Sequence, residues 1–150
     1  MNVAIHRCES LEHEGWLALR EALWPESSRE EHLAWMAKQL GLSGRFVQFV
    51  ASTGPGQPIG FAEAAIRTDY VNGTDTFPVA FLEGLYVAPQ ARRQGVAAAL
   101  VAEVERWARD FGCRELASDA LLDNERGHLV HRTLGFEETE RVVYFHKRLE

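Results

Sequence analysis

The sequence predicts a mixed α/β layer fold with the element order β-α-α-β-β-β-α-β-α-β-β. Two observations support this prediction. Short apolar runs bounded by Gly and Pro are typical of strands, and one long segment has a clear helical period. That segment carries apolar residues three or four positions apart, at Val96, Leu100, Val104, Trp107 and Phe111. Strands on both sides of this helix predict a strand–helix–strand crossover near the centre of the sheet.

The N-terminal third predicts one strand followed by two helices. Residues 2–7 alternate as a strand does, and Ser10 can cap a helix that stops near Pro25. A second N-cap at Ser27 or Ser28 precedes a helix that ends at the glycines of residues 41–44.

The remaining elements follow from changes of period and from turn residues. Gly54-Pro55-Gly56 predicts a turn that joins two strands into a hairpin. The predicted strands are residues 45–51, 59–66, 80–87, 114–118, 136–139 and 141–147, and the predicted helices are residues 94–111 and 124–134.

Composition fits one globular domain spanning residues 1–150. The net charge of −6 argues against a nucleic-acid groove and favours a cationic partner. Cys8 and Cys113 form no CxxC or metal-ligand pattern, so we expect two reduced thiols in a cytoplasmic protein. We expect neither a signal peptide nor a membrane span.

The segment from Leu85 to Leu100 is the most informative in the chain, because a strand ends, a basic turn follows, and a long helix begins at a glycine. The first turn of a helix offers free N–H groups and the positive end of its dipole. Gly95 and Ala97 are small enough for a pyrophosphate to approach the backbone, and Arg92 and Arg93 add positive charge. An ordinary strand–helix connection is the alternative, but the whole string favours anion binding.

This segment resembles the acetyl-CoA signature of the GNAT N-acetyltransferase superfamily, which Arg92, Gly95 and Ala97 match. The later Leu134-Gly135-Phe136 is similar to the end of that family's fourth helix. The resemblance implies a splayed central sheet with helices on both faces. It also implies acetyl-CoA as co-substrate, with its pantetheine arm on backbone groups of strand 80–87. The implied cofactor-binding residues are Leu85, Tyr86, Val87, Arg93, Gln94, Gly95, Val96, Ala97, Ala98 and Asn124.

Several weaker strings, taken together and in order, resemble the aminoglycoside 6'-N-acetyltransferases. They include Leu23-Trp24-Pro25, residues 69–73, residues 81–84, Ala117-Ser118-Asp119 and residues 135–141. This resemblance implies acetyl transfer to the 6'-amine of an aminoglycoside antibiotic, hence antibiotic resistance. It also implies a homodimer. The apolar residues 142–145 are either a candidate edge for it or simply a core strand.

The resemblance implies that Glu83, Asp119 and Glu140 bind substrate amines and hydroxyls, and that Trp24 and Tyr70 line the same cleft. Glu83 and Asp119 are also the candidate bases, since a charge within an apolar strand is costly unless it is used or paired. Each of the others has a structural alternative. Trp24 could be a core anchor, Tyr70 a packed loop residue, and Glu140 part of a solvated acidic run.

The general acid is not evident, because His131 stands where many members of the superfamily have a tyrosine. His128 and His131 lie three residues apart, but no third ligand is visible and no metal site is predicted. The cysteines have no base nearby, so we expect direct transfer without a covalent enzyme intermediate.

Two other functions remain open at this stage. The chain could acetylate another small amine or a protein terminus with the same cofactor half, and a substrate panel distinguishes this case. It could also be a non-catalytic acetyl-CoA-binding module, which predicts cofactor binding without turnover.

Overall fold

A computed structural model describes residues 2–150 of the chain. Its elements are β1 Ala4–Arg7, α1 Trp16–Leu23, α2 Arg29–Gly41, β2 Phe46–Ser52, β3 Pro58–Arg67, β4 Val79–Val87, a 3-10 turn Pro89–Ala91, α3 Val96–Phe111, β5 Leu116–Ala117 and α4 Glu125–Thr133. Within these described residues, no helix is both long and apolar enough to cross a membrane.

The five strands form one sheet in the order β1-β2-β3-β4-β5. The first four are antiparallel neighbours, which confirms the predicted hairpin of β2 and β3. β5 pairs with β4 in parallel, and that pairing consists of Ala80 with Leu116 and Phe81 with Ala117. The rest of β4 runs on past the end of β5, so the sheet opens at this point.

The first helix pair covers one face of the sheet. Trp16 and Leu19 of α1 and Met36 of α2 are buried together with Val50 and Phe61 of the sheet. Burying a large apolar side chain contributes about 2 kcal/mol, so this cluster is a main source of stability.

A capping box defines the N-terminus of α2. Ser28 accepts a hydrogen bond from the N–H of Glu31, whose carboxylate accepts one from the N–H of Ser28. This reciprocal capping box confirms the predicted cap.

The long helix α3 packs on the opposite face. Ile66 lies five residues after Phe61 in β3, and an odd separation in a strand places two side chains on opposite faces. Ile66 is buried with Ala80 and with Ala108 of α3. The prediction of helices on both faces is therefore confirmed. Of the predicted apolar face of α3, Val96, Leu100 and Val104 are buried, whereas Phe111 at the end of the helix is exposed.

The chain divides into two compact units, the first ending at Ser118 and the second running from Asp119 to Glu150. The first contains the sheet and α1 to α3, and the second contains α4. That residues 1–150 form one domain stays a prediction.

The predicted start of the first helix is wrong. α1 begins at Trp16, and Gly15 before it has φ 88°, a left-handed conformation that favours glycine. A Cβ at Gly15 would also lie 2.3 Å from the Pro58 side chain. Ser10 belongs to a turn instead, since its carbonyl oxygen accepts from the N–H of His13 at 3.2 Å.

The two final predicted strands are also absent from the described chain, since residues 135–150 contain no strand. A strand requires a partner for its N–H and C=O groups. The Phe136 N–H donates to the carbonyl oxygen of His131 instead of to a strand, and residues 137–147 have no backbone hydrogen bond among the described residues. The apolar side chains of residues 142–145 are exposed.

Candidate active site

The opening in the sheet exposes one edge of β4. Leu85, Tyr86 and Val87 pair with β3 through Ala62, Phe61 and Gly60, and the β5 pairing has already ended at Phe81. An extended ligand with amide groups can pair with such a strand edge. The predicted splay beside residues 85–87 is thus present in the structure.

The N-terminus of α3 follows directly. Gly95 is the N-cap with φ 82°, and Arg93 has φ 63°, which is uncommon for a residue with a side chain. The N–H groups of Val96, Ala97 and Ala98 belong to the first turn and have no partner within the helix. A Cβ on Gly95 would meet no atom within 4 Å. Conformation, not packing, therefore favours glycine there, and the space outside the turn is open to an anion.

Arg92 has a structural role in addition to the charge that the sequence suggests. Its Nε donates to the carbonyl oxygen of Val87 at 2.8 Å, and its guanidinium lies 5.6 Å from the ring centroid of Tyr86. Arg92 thus braces the turn against the end of β4.

Glu83 occupies a bulge in β4. Glu63 of β3 pairs with Gly84 and the next residue pairs with Leu82, so Glu83 is the extra residue. Its carboxylate is partly exposed and forms an ion pair with Arg67 at 3.0 Å. Arg67 was not among the predicted site residues, and the available signal was a charge directly after the predicted strand 59–66.

Trp24 lies beside Glu83. A Cβ added at Gly84 would come within 2.5 Å of Cη2 of the Trp24 indole, so this ring rests on the backbone of β4. The indole therefore lies against the residue that follows Glu83, and that Trp24 and Glu83 line one substrate cleft stays a prediction. Trp24 also contacts the core cluster, so the interpretation of Trp24 as a core anchor is partly correct.

Tyr70 lies in the loop between β3 and β4. Its side chain is 70% exposed and lines an open recess of ≈ 360 Å³ together with Asp69 and Phe77. Glu115 anchors the loop, because its Oε1 accepts from the N–H groups of Asp75 at 2.9 Å and Thr76 at 2.7 Å.

Residues 8–136 match the model of the Acetyltransferase (GNAT) family. The chain belongs to this family. It is 53% identical, over 89% of its length and 90% of the relative's, to an aminoglycoside N(6')-acetyltransferase type 1 of Acinetobacter baumannii. It is 50% identical to the enzyme of the same name from Serratia marcescens, over 95% of its length and 97% of the relative's.

Solved structures agree with this family assignment. AAC(6')-Iy in complex with the bisubstrate analogue CoA-S-monomethyl-acetylneamine has a TM-score of 0.92 and 45% identity, covering 99% of this chain and 100% of the other. AAC(6')-Ih from Acinetobacter baumannii has a TM-score of 0.92 and 47% identity, with the same coverage. The expected GNAT fold is therefore confirmed.

The other residues that GNAT resemblance singles out lie in the unit 119–150. Asp119 is exposed two residues beyond β5, so it does not interrupt a strand as predicted. Glu140 is exposed in a segment without regular structure, and not at a strand end. Asn124 is the N-cap of α4 and accepts from the N–H of Gly127 at 3.0 Å. Their functional roles stay predictions.

His131 uses one ring nitrogen within its own helix. Its Nδ1 lies 2.7 Å from the carbonyl oxygen of Gly127. A carbonyl only accepts, so Nδ1 carries the proton in the neutral ring. Nε2 can therefore donate a proton only when His131 is an imidazolium.

The two cysteines remain poor nucleophiles in this GNAT member. Burial, followed by the nearby charge of Glu63, raises the pKa of the Cys8 thiol. Burial also raises the pKa of the Cys113 thiol. A thiolate is the reactive form, so both side chains act as core residues.

Proposed function

We propose that this GNAT-family protein is an aminoglycoside 6'-N-acetyltransferase that transfers acetyl from acetyl-CoA directly to the amine. The central observation is a strand edge at Leu85–Val87 that leads into the open N-terminus of α3, next to an acidic residue at Glu83. The near full-length similarity to enzymes of that name supports this substrate class.

The cofactor half of the site is continuous in sequence. In our proposal the backbone of Leu85 and Val87 pairs with the pantetheine arm, and the N–H groups of residues 93–98 bind the pyrophosphate. The helix dipole and Arg93 both favour the negative charge there. Asn124 is proposed as a further cofactor contact.

The acceptor half carries the negative charge. Glu83, Asp119 and Glu140 are proposed to bind the ammonium and hydroxyl groups of the drug, while Trp24 and Tyr70 offer aromatic faces for a sugar ring or a cation. Carboxylates spread over a cleft suit a polycationic sugar better than one apolar pocket does, and the net charge of −6 agrees with such a partner.

The reaction requires a neutral amine. Glu83 or Asp119 accepts the amine's proton, directly or through a water, and the nitrogen attacks the thioester carbonyl. A backbone N–H of residues 85–87 stabilises the oxyanion. Attack forms the C–N bond, and collapse of this tetrahedral intermediate breaks the C–S bond. CoA leaves as a thiolate, which takes up the second proton that the acylated nitrogen loses. A thiolate is stable enough near neutral pH to leave without a strong acid.

Thiol release from acetyl-CoA by the purified protein tests this proposal. We expect turnover with kanamycin and tobramycin, and none with a kanamycin analogue that has a hydroxyl in place of the 6'-amine. Turnover that persists with the analogue would move the reaction to another amine. Cofactor binding without turnover on any amine would instead favour a non-catalytic module.

We also propose that the protein is a homodimer that pairs through residues 136–147. Val143, Tyr144 and Phe145 are 77%, 78% and 90% exposed, and a contiguous apolar run of this kind marks an interface. A second copy of the chain fits this surface, because it would supply a partner for the unpaired backbone.

Light scattering on a sizing column tests this assembly. We expect a dimer that dissociates in the double variant Val143→Thr/Phe145→Ser, whereas the matched control Arg148→Gln remains dimeric. A wild-type monomer at micromolar concentration would refute the dimer.

We place the protein in the cytoplasm, in agreement with its two free, buried cysteines.

A further inference from the structure

A charged group lies inside the core between α1, α2 and the sheet. The Glu63 side chain is 1% exposed and accepts hydrogen bonds from Trp16 Nε1 at 2.7 Å and Gln39 Nε2 at 3.0 Å. The Arg20 guanidinium is ion-paired to the same carboxylate. Desolvation offsets most of the Coulomb gain of a buried pair, so its stabilising effect is small. Its main consequence is that the Arg20 guanidinium is held in one position.

Arg20 in turn contacts Trp24 in two ways. Its Cζ lies 4.7 Å from the centroid of the indole, within cation–π range. Its backbone carbonyl accepts from the N–H of Trp24 at 2.8 Å. The indole therefore has a fixed cation on one side.

His32 connects the same arginine to the Trp24 carbonyl. Arg20 Nε lies 3.2 Å from His32 Nδ1, and His32 Nε2 lies 3.1 Å from the Trp24 oxygen. Arginine can only donate, so Nδ1 accepts and Nε2–H of the neutral ring donates to the carbonyl. The N–H and the C=O of Trp24 are thus both fixed by hydrogen bonds to buried residues, Arg20 and His32.

Two residues of the sheet, Phe61 and Gly84, also restrict the position of the Trp24 indole. The Phe61 ring packs edge-on at 5.9 Å between centroids. At Gly84 a Cβ would lie 2.5 Å and 2.8 Å from two indole carbons, so an alanine there has to displace the ring. Gly84 immediately follows Glu83, and the position of Trp24 therefore sets the space next to that carboxylate.

We infer that Arg20 and His32 are positioning residues that hold the Trp24 indole on Gly84, and that this contact sets the width of the acceptor cleft beside Glu83. The inference rests on the proposed function, because it matters only if Trp24 lines the aminoglycoside site. Small displacements of a group that orients the acceptor are costly to the reaction.

The test compares Gly84→Ala, His32→Ala and His32→Gln. The first pushes the indole away, and the second removes both hydrogen bonds of the ring. Gln retains an amide N–H near the position of Nε2 and should partly restore the contact. We expect the KM for kanamycin to rise about tenfold in Gly84→Ala and His32→Ala, with kcat and the KM for acetyl-CoA nearly unchanged. His32→Gln should lie between His32→Ala and the wild type.

A double-mutant cycle with Trp24→Ala separates positioning from general structural damage. If Gly84→Ala and His32→Ala act through the indole, neither should raise the kanamycin KM further when Trp24 is already alanine. Near-UV circular dichroism gives a readout without substrate, since His32→Ala should lose the same band as Trp24→Ala.

The possible failures are distinct. Additive KM effects in the double-mutant cycle would overturn the inference, and so would an unchanged near-UV band in His32→Ala. In both cases the wild type would still acetylate aminoglycosides. If the wild type showed no such turnover, the proposed function itself would fall, and the inference with it.

Discussion

The two units of the chain differ in the burial of their apolar residues. Helix α3 of the first unit buries Val96, Leu100, Val101, Val104 and Ala108, whereas α4 of the second unit has no buried residue. In the segment after α4 the apolar side chains of residues 142–145 are exposed as well. An amphipathic pattern predicts a buried face only where a second layer is available to cover it.

This contrast also divides the proposed function. The strand edge and the helix N-terminus that form the proposed cofactor half lie entirely within the first unit. The second unit contributes two of the proposed substrate carboxylates, Asp119 and Glu140. Variants of the helix N-terminus at Gly95 and of the second unit's carboxylate Asp119 should therefore affect different halves of the reaction.

The largest expected effect is in the first unit. Gly95→Asp places a carboxylate where the pyrophosphate would bind. Like charges a few ångströms apart repel by about 4 kcal/mol at an effective dielectric constant of about 20. We expect acetyl-CoA affinity to fall at least about 100-fold, as measured by calorimetry. An aspartate at φ 82° is strained, so the affinity is compared on protein whose folding has been verified.

Two controls distinguish charge from backbone strain. Gly95→Asn has nearly the same size and tolerates positive φ, but it is neutral, so most of the affinity should remain. Gly112→Asp carries the same change at the other end of α3, where φ is 107° and a Cβ likewise meets nothing within 4 Å. An equal loss of affinity in Gly95→Asn and Gly95→Asp would refute the phosphate site.

A smaller effect is expected in the second unit. Asp119→Asn removes a charge-assisted hydrogen bond to a substrate amine, worth about 10- to 100-fold in kcat/KM for kanamycin. Acetyl-CoA affinity should change little, and Asp123→Asn four residues later should resemble the wild type. Parallel losses of cofactor affinity and kanamycin turnover would contradict the division between the units.

Local signals predicted most of the first unit. The period of α3 and the Ser28–Glu31 capping box depend on neighbours within a few residues, and both are present in the structure. The two strands predicted within residues 136–147 are absent from the structure. A strand depends on a pairing partner, and an apolar pattern does not reveal whether one is present.

The hydrogen-bond network around Glu63 shows a second limit of prediction from sequence. Glu63 interrupts an apolar strand in the way that drew attention to Glu83, yet its partners Arg20 and Gln39 lie 43 and 24 residues away. The sequence shows that a buried charge needs a partner, but it does not show which residue that partner is. The positions of Trp24 and of the Tyr70 loop follow from such distant contacts.

The smallest expected effect concerns Glu115, near the end of the first unit, which anchors the loop that carries Tyr70. The hydroxyl of Thr76, with the N–H groups of Asp75 and Thr76, holds the pKa of the Glu115 carboxyl below its ordinary value of 4.5. A carboxyl whose pKa is lowered on folding stabilises the protein above its unfolded pKa, and this contribution is lost as the pH falls through the folded value.

Glu115→Gln should therefore lower the free energy of unfolding at pH 7 by about 1 kcal/mol. The difference from the wild type should shrink as the pH drops below 4.5. Urea unfolding at several pH values measures this, with Glu105→Gln as control, because the Glu105 carboxylate has only a long exposed contact to Arg109 at 3.8 Å. A difference that stays constant from pH 7 to pH 3 would mean that the ionised carboxylate does not anchor the loop. The stability change would then reflect a defect of shape or packing at Glu115.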